Sequence, residues 1–386
     1  MHLLVHSIKA AWWRNKVAAV LFLDVEGAFP NAVTMRLLHN LHMHQVPERY
    51  VLFIAQLLKD RYTRLKFDGY ISDWMGVSNG IVQGDPLSMI LYLFYNADLI
   101  DDVKKGELKI TYVDDVNFYA EGADFEEAYA KLCDMMSREG GGWEWSQQHN
   151  SQFEMPKLTL VGFSRCCTPD TTHPGKLRPE PRLDLTIDGT VIKPATLQKF
   201  LGVLFDQELC WKDQAERMVV KATKWSLCAC QLARPTVSIL PWQMQQLYQV
   251  MAVPSFTYAA DVWFKPVDGS LEGWKAGGSI GVSCKLTSVQ CIATVAIMGA
   301  LHTTATDTME MHANLRPMEL LMHRICHRAA MWLMALPESH PLYKPVKLTV
   351  RRDVKQHRSP LHRLLHSFRI KPTNFETLSP IGCPPN

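Results

Sequence analysis

The chain has 386 residues, of which 47% are hydrophobic and 20% charged. That composition excludes a disordered or low-complexity polymer and gives length for two or more folded domains. The net charge of +3 is unevenly spread: residues 344 to 371 hold nine Lys/Arg and one Asp, a local +8, so a polyanionic partner is expected there.

In chain order, residues 1 to 20 have apolar positions spaced like an amphipathic helix, and "AVLFLDV" (19 to 25) follows as a buried strand ending near Asp24. "AVTMRLLHNLHMHQ" and "ERYVLFIAQLLKDRY" predict two helices separated by Pro47. "TRLKFDGYISDWMGV" predicts a hairpin turning at Asp68-Gly69. "DPLSMILYLFYNADLI" (85 to 100) predicts a helix with Asp85 as N-cap and Pro86 at its first position, and its nearly all-round apolar character predicts burial. A second hairpin is expected over residues 110 to 120, then a helix around "FEEAYAKLCDMMSRE". Four prolines between residues 165 and 183 predict a linker; beyond it come a strand region around "KFLGVLFD" (199 to 206) and long helical patterns. Strands and helices interleave without a βαβ period, which indicates an α+β fold.

Ten scattered cysteines, without a C-x-x-C pair or a regular framework, read as reduced thiols of an intracellular protein, nuclear and cytoplasmic. The longest apolar runs read as short: "VAAVLFL" (17 to 23) is far below the roughly 20 residues a membrane span needs, so no membrane is expected. His323 and His327 have the i, i+4 spacing of zinc ligands, but no further ligands stand at suitable spacing.

Within "TYVDDVNFYA" (111 to 120), Asp114 and Asp115 put two carboxylates between residues that otherwise read as buried strand. Adjacent carboxylates repel, so either the pair meets water at a turn or a cation meets it. Asp24, also at a strand end, could join them in one sheet and form an oxygen-rich site for Mg²⁺. Two such ions, roughly 3.5 to 4 Å apart, serve phosphoryl transfer. Between these elements, "NGIVQGDPLS" (79 to 88) offers Gly80 and Gly84 for close backbone approach to a ligand, with the Gln83 amide beside them.

Taken in order, these motifs resemble the reverse transcriptase family, and most closely its non-LTR, LINE-like retrotransposon branch. Asp24 and Phe29 in "DVEGAF" match motif A, Gln83 and Gly84 match motif B, and Tyr112, Val113, Asp114 and Asp115 match the Tyr-x-Asp-Asp of motif C. Lys157 in "MPKLTLVGF" matches a motif D lysine carried on a later strand, and "FLGVLFD" matches the primer grip, motif E. The similarity runs from about residue 20 to about residue 345. Pro30, Asp85 and Met89 depart from the residues usual at their positions.

The resemblance implies a right-hand palm, an antiparallel sheet with helices, followed by a mostly helical thumb and C-terminal region. The expected division is a palm with a remnant of the fingers over 1–165, a linker over 166–190, primer grip and thumb over 191–260, a helical region over 261–345 and a basic tail over 346–386. It further implies an RNA-directed DNA polymerase using an RNA template, a DNA primer and dNTPs, with two Mg²⁺ ions held by Asp24, Asp114 and Asp115. Lys157 would protonate the pyrophosphate leaving group, and Phe29, Gln83 and Gly84 would contact the nucleotide. The chain begins almost at motif A, so most of the fingers is expected to lie outside it. The alternative is a catalytically silent nucleic-acid-binding remnant of such an element.

Overall fold

A computed structural model describes residues 1–169, 177–233, 239–267, 278–352 and 360–368. The chain divides into two compact units, Arg14–Leu201 and Met1–Trp13 with Gly202–Asn386. The N-terminal helix, expected with the palm, thus groups with the C-terminal half. The division falls at Leu201/Gly202, beyond the expected linker.

The unit Arg14–Leu201 is built on a four-stranded sheet of β1 (Val17–Asp24), β2 (Glu107–Tyr112), β3 (Asp115–Gly122) and β4 (Thr159–Phe163), in the order β2-β3-β1-β4. All its pairs are antiparallel. β1 sits between two neighbours and is buried on both faces, which is why its sequence reads as a continuous apolar run and not as an alternation. Helices α1 (Thr34–Met43), α2 (Glu48–Leu57), α3 (Pro86–Tyr95), α4 (Phe125–Ser137) and α5 (Gly142–Gln148) complete the unit.

Helix α4 lies across β3 and β1. It starts where Asp124 accepts from the Glu127 backbone N–H at 2.8 Å, while the Glu127 carboxylate accepts from the Ala123 N–H at 2.6 Å. The first bond satisfies a donor that the helix start leaves free, and the second ties the residue before the cap back to the first turn. Its buried Ala128, Leu132, Met135 and Met136 close the core over Leu21, Phe118 and Ala120. At its C-terminal end, Arg138 pairs with Glu107 of β2 at 2.9 Å and with Asp134 at 3.1 Å.

The hairpin expected at Asp68-Gly69 is present: Lys66–Phe67 pairs with Tyr70–Ile71, and both turn residues have positive φ, 43° and 82°. Asp85 caps α3, its side chain accepting from the Leu87 N–H at 2.9 Å, with Pro86 behind it. The burial expected for this helix holds on one face only. Ser88, Leu91, Tyr92 and Tyr95 are inside, while Met89, Ile90 and Leu93 are exposed. The stretch read as a linker also differs: Cys167–Pro169 pairs with Leu177–Pro179 and Leu185–Ile187 with Thr190–Ile192, and Leu185, Ile187 and Ile192 join the core. Pro169 and Pro179 stand at strand ends, where a missing N–H does not break a ladder.

The second unit is mainly helical among its described residues. Its longest helices are Lys212–Leu232, Ile280–Met298 and Met318–Met334, and His2–Trp13 packs against Pro360–Phe368. Ile280–Met298 corrects the expectation of short apolar runs, for its 19 residues are long and apolar enough to cross a membrane. One face of it is packed inside the unit: the Ser226 hydroxyl donates to its Val289 carbonyl at 3.0 Å, and its buried Gln290 donates to Glu310 at 2.7 Å. The segment read as a basic tail is helical over Tyr343–Arg352 and Pro360–Phe368, with Val346, Leu361 and Leu365 buried; residues 353–359 and 369–386 lie outside the described residues. His323 and His327 set their rings edge-on to Phe368, and His323 Nε2 lies 2.9 Å from the Val267 carbonyl.

Candidate active site

Asp24 is the last residue of β1 and lies directly opposite Asp115, the first residue of β3. Residues opposed across two strands share a face, so both carboxylates belong to the same end of the sheet. Tyr112 closes the β2-β3 pair against Asp115, which leaves Val113 and Asp114 as the turn. Val113 has φ +59°, a region β-branched residues rarely adopt, and it is buried. The Asn96 side-chain amide, at the C-terminal end of α3, donates to the Val113 carbonyl and holds the turn in that conformation. Strain of this kind persists only where the surroundings enforce it.

The electrostatics match the crowding. Burial, followed by the charges of Asp114 and Asp24, raises the Asp115 carboxyl above its ordinary value. Burial, then Tyr95, then Asp114, raises the Tyr92 phenol on α3. Asp115 therefore feels the charge of both other carboxylates.

Phe29 reaches this site through Tyr92, their ring centroids 5.2 Å apart. It stands on the short helical turn Ala28–Asn31 that follows Gly27, itself at φ +56°. The turn is stitched to the segment entering α3: Ile81 N–H donates to the Phe29 carbonyl at 2.7 Å and Gly80 N–H to the Ala32 carbonyl at 2.8 Å. Gly80 is required by this approach. It has φ +86°, and a Cβ there would meet the Pro30 carbonyl oxygen at 2.6 Å and its Cα at 2.9 Å. Gly80→Ala is expected to cost about 2 kcal/mol or more, read from the urea midpoint. Gly69→Ala, at φ +82° with nothing within 4 Å, carries only the left-handed penalty, about 1 kcal/mol. Equal losses at the two positions would show that the Pro30 approach has no energetic weight.

Gln83 and Gly84 are both exposed in the turn before Asp85, and Gly84 has φ +97° with open space around it. They stand at the start of α3, and no described hydrogen bond ties them to the carboxylates. Lys157 is near the carboxylates, but not on a strand as expected: Pro156 helps set a 3-10 turn, Met155–Lys157, one residue before β4. That turn is fixed to the end of β1 by Glu154 N–H donating to the Asp24 carbonyl and Glu26 N–H to the Gln152 carbonyl, both at 2.9 Å. The Lys157 ammonium lies 2.8 Å from Asp24 Oδ2 and also bonds the Glu154 carboxylate, and these two hydrogen bonds raise its pKa.

Asn96 and Glu154 were not singled out in the sequence. Their one signal is a polar residue next to a motif, too common to select them.

Half-exposed carboxylates that repel one another suit a hard divalent cation, which takes oxygen ligands. Asp24, Asp114 and Asp115 do not converge as tightly as Asp206, Glu208 and Cys210, whose ligand atoms lie within 4.8 Å of one another. That second cluster has a structural account: the Asp206 carboxylate accepts from the N–H groups of Cys210 at 2.7 Å and Trp211 at 2.9 Å, just before helix Lys212–Leu232.

Comparison with known proteins adds to this geometry. A family described as "Reverse transcriptase (RNA-dependent DNA polymerase)" matches residues 2–144. The RNA-directed DNA polymerase from mobile element jockey of Drosophila funebris is 24% identical over 279 residues, covering 68% of this chain and 28% of that protein. The retrovirus-related Pol polyprotein from type-1 retrotransposable element R2 of Popillia japonica is 23% identical over 238 residues, 58% of this chain and 36% of that protein. The chain thus spans about a third of the length of these relatives. Among solved structures, apo telomerase from Candida tropicalis aligns with a TM-score of 0.41 at 10% identity, covering 95% of this chain and 49% of that one. Telomerase of the same species with a TWJ fragment of telomeric RNA aligns with a TM-score of 0.40 at 10% identity, covering 95% and 48%.

Proposed function

We propose, from the premise that residues 2–144 are a reverse transcriptase domain of the non-LTR, LINE-like retrotransposon kind, that this chain is the palm and thumb of an RNA-directed DNA polymerase. Its reaction is nucleotidyl transfer from a dNTP to a primer 3′-hydroxyl on an RNA template. The observation that supports this best is the pairing of Asp24 with Asp115 across β1 and β3, with Asp114 one residue away in the turn.

Asp24 and Asp114 would hold two Mg²⁺ ions, with Asp115 adding negative charge behind them. Bound there, the ions supply charge neutralisation for the attacking and leaving oxygens of an in-line displacement. The chain's own residues do the rest. Asn96 fixes the turn that presents Asp114. Lys157 supplies a proton donor beside Asp24 for the leaving pyrophosphate. Phe29, backed by Tyr92, would close the space that a 2′-hydroxyl on the incoming sugar needs. Gln83 and Gly84, exposed at the start of α3, would lie along the nucleotide.

The test is primer extension by the purified chain on a poly(rA)/oligo(dT) template with dTTP and Mg²⁺. Incorporation above that of the Asp114→Asn variant supports the reading; none above it, by the chain and also by the chain joined to a fingers region, overturns the reading. Phe29→Val tests the sugar gate in the same assay. A packed ring cannot shrink, and the overpacking it imposes costs about 1 to 3 kcal/mol, one to two orders of magnitude in selectivity. The ratio of ribo- to deoxynucleotide incorporation should rise by that factor. An unchanged ratio with a lowered thermal midpoint would leave Phe29 as a packing residue on Tyr92.

A further inference from the structure

Asp24 already has a cation. The Lys157 ammonium sits 2.8 Å from its Oδ2, while the same ammonium bonds the Glu154 carboxylate three residues earlier. An oxygen in contact with an ammonium cannot also take a divalent cation at about 2.1 Å without bringing two positive charges together. A divalent cation on Asp24, even through the other oxygen Oδ1, would stand within a few ångströms of the ammonium and repel it, so filling Asp24 favours the departure of Lys157.

The backbone favours a short move over a long one. The Met155–Lys157 turn is fixed, since Glu154 N–H donates to the Asp24 carbonyl and Lys157 N–H to the Glu154 carbonyl, both at 2.9 Å. Only the flexible four-carbon stem of Lys157 has to swing. Glu154 gives the ammonium a second carboxylate within reach, already bonded before the move, so the charge passes from a shared position to a single partner.

We propose that Lys157 is the resident counter-cation of the unloaded carboxylate site, exchanged for an entering divalent cation, and that Glu154 is a positioning residue that retains the displaced ammonium beside the site. This rests on the cation-dependent function proposed above. Glu154 thereby keeps the only cation described on Asp24 from competing fully with the metal, and parks it where a leaving pyrophosphate would need a proton.

The test is Mn²⁺ binding to the full chain, read from the EPR signal of free Mn²⁺ at fixed ionic strength. Wild type, Lys157→Met, Glu154→Gln, the double variant and Asp114→Asn are compared. Losing an exposed pairing partner of this kind shifts an equilibrium about two- to fivefold. Lys157→Met should tighten Asp114-dependent binding by that factor. Glu154→Gln should weaken it comparably, because the ammonium is left with Asp24 alone.

In the Lys157→Met background, Glu154→Gln should then change nothing, since there is no ammonium to retain. If Glu154→Gln weakens binding equally in both backgrounds, or if Lys157→Met leaves affinity unchanged, the exchange is wrong while the polymerase reading stands. If no variant, wild type included, shows Asp114-dependent Mn²⁺ binding, the functional reading fails and the exchange falls with it.

Discussion

On the function proposed above, Asp114→Asn is expected to remove nucleotide incorporation, by about three orders of magnitude or more, because a side chain that would hold a catalytic cation would supply several kcal/mol of transition-state stabilisation. The same change should leave the fold intact. The turn is held by the Asn96 amide on the Val113 carbonyl and by the β2-β3 ladder, not by the Asp114 side chain. Stability should in fact rise slightly at neutral pH. Asp115 titrates above its ordinary value, first through burial and then through Asp114 and Asp24. The folded chain therefore binds more protons than the unfolded chain between the ordinary and the raised value, and stability falls as pH rises through that window. The penalty is complete above the raised value and absent below the ordinary one. Any gain in thermal midpoint from Asp114→Asn should accordingly be seen at pH 7 and be gone near pH 3. Loss of activity together with a lower midpoint at pH 7 would make Asp114 a structural residue.

Arg138→Met should destabilise the unit Arg14–Leu201 by about 3 to 5 kcal/mol. Glu107 on β2 has a side chain only 2% exposed, and Arg138, itself 8% exposed, neutralises it at 2.9 Å. Removing the guanidinium leaves a buried carboxylate without its cation, a larger loss than the net worth of the pair. Because β2 is an edge strand that leads into the Asp114 turn, the damage is not confined to one contact. The urea midpoint should drop with little change in slope. Adding Glu107→Gln to the variant should recover a good part of the loss, since it removes the stranded charge. A single variant within about 1 kcal/mol of wild type would show that water reaches Glu107.

The parts of the site that could be read from the sequence are those whose chemistry is local. Asp114 and Asp115 stood out because like charges inside a strand pattern need a reason, and the Asp68-Gly69 hairpin because its turn demands positive φ. Asp85 and Pro86 announced the start of α3 for similar reasons. What stayed illegible depends on partners distant in sequence. Nothing in "PLSMILYLFY" says that Met89, Ile90 and Leu93 lack a covering layer, since periodicity reports apolar character and not what packs on it. Proline density suggested a linker over 166–190, yet two prolines there sit harmlessly at strand ends. Glu154 and Asn96 gain meaning only from Lys157 and Val113, and no spacing rule connects those pairs.

The β2-β3 turn also sets which genetic changes this sheet can absorb. Val116, Phe118 and Ala120 face one side of β3, and Asn117, Tyr119 and Glu121 the other, in fixed alternation from the Val113-Asp114 tip. Substituting a tip residue alters chemistry at one position. Inserting or deleting a single codon there would shift the register by one and turn the whole strand over, carrying Phe118 and Ala120 to the equally buried face of Asn117, Tyr119 and Glu121, and the Glu121 carboxylate in among the apolar residues they leave. A copy of this gene drifting without selection would therefore keep its fold through many missense changes at the tip, and lose it at an in-frame change of length there.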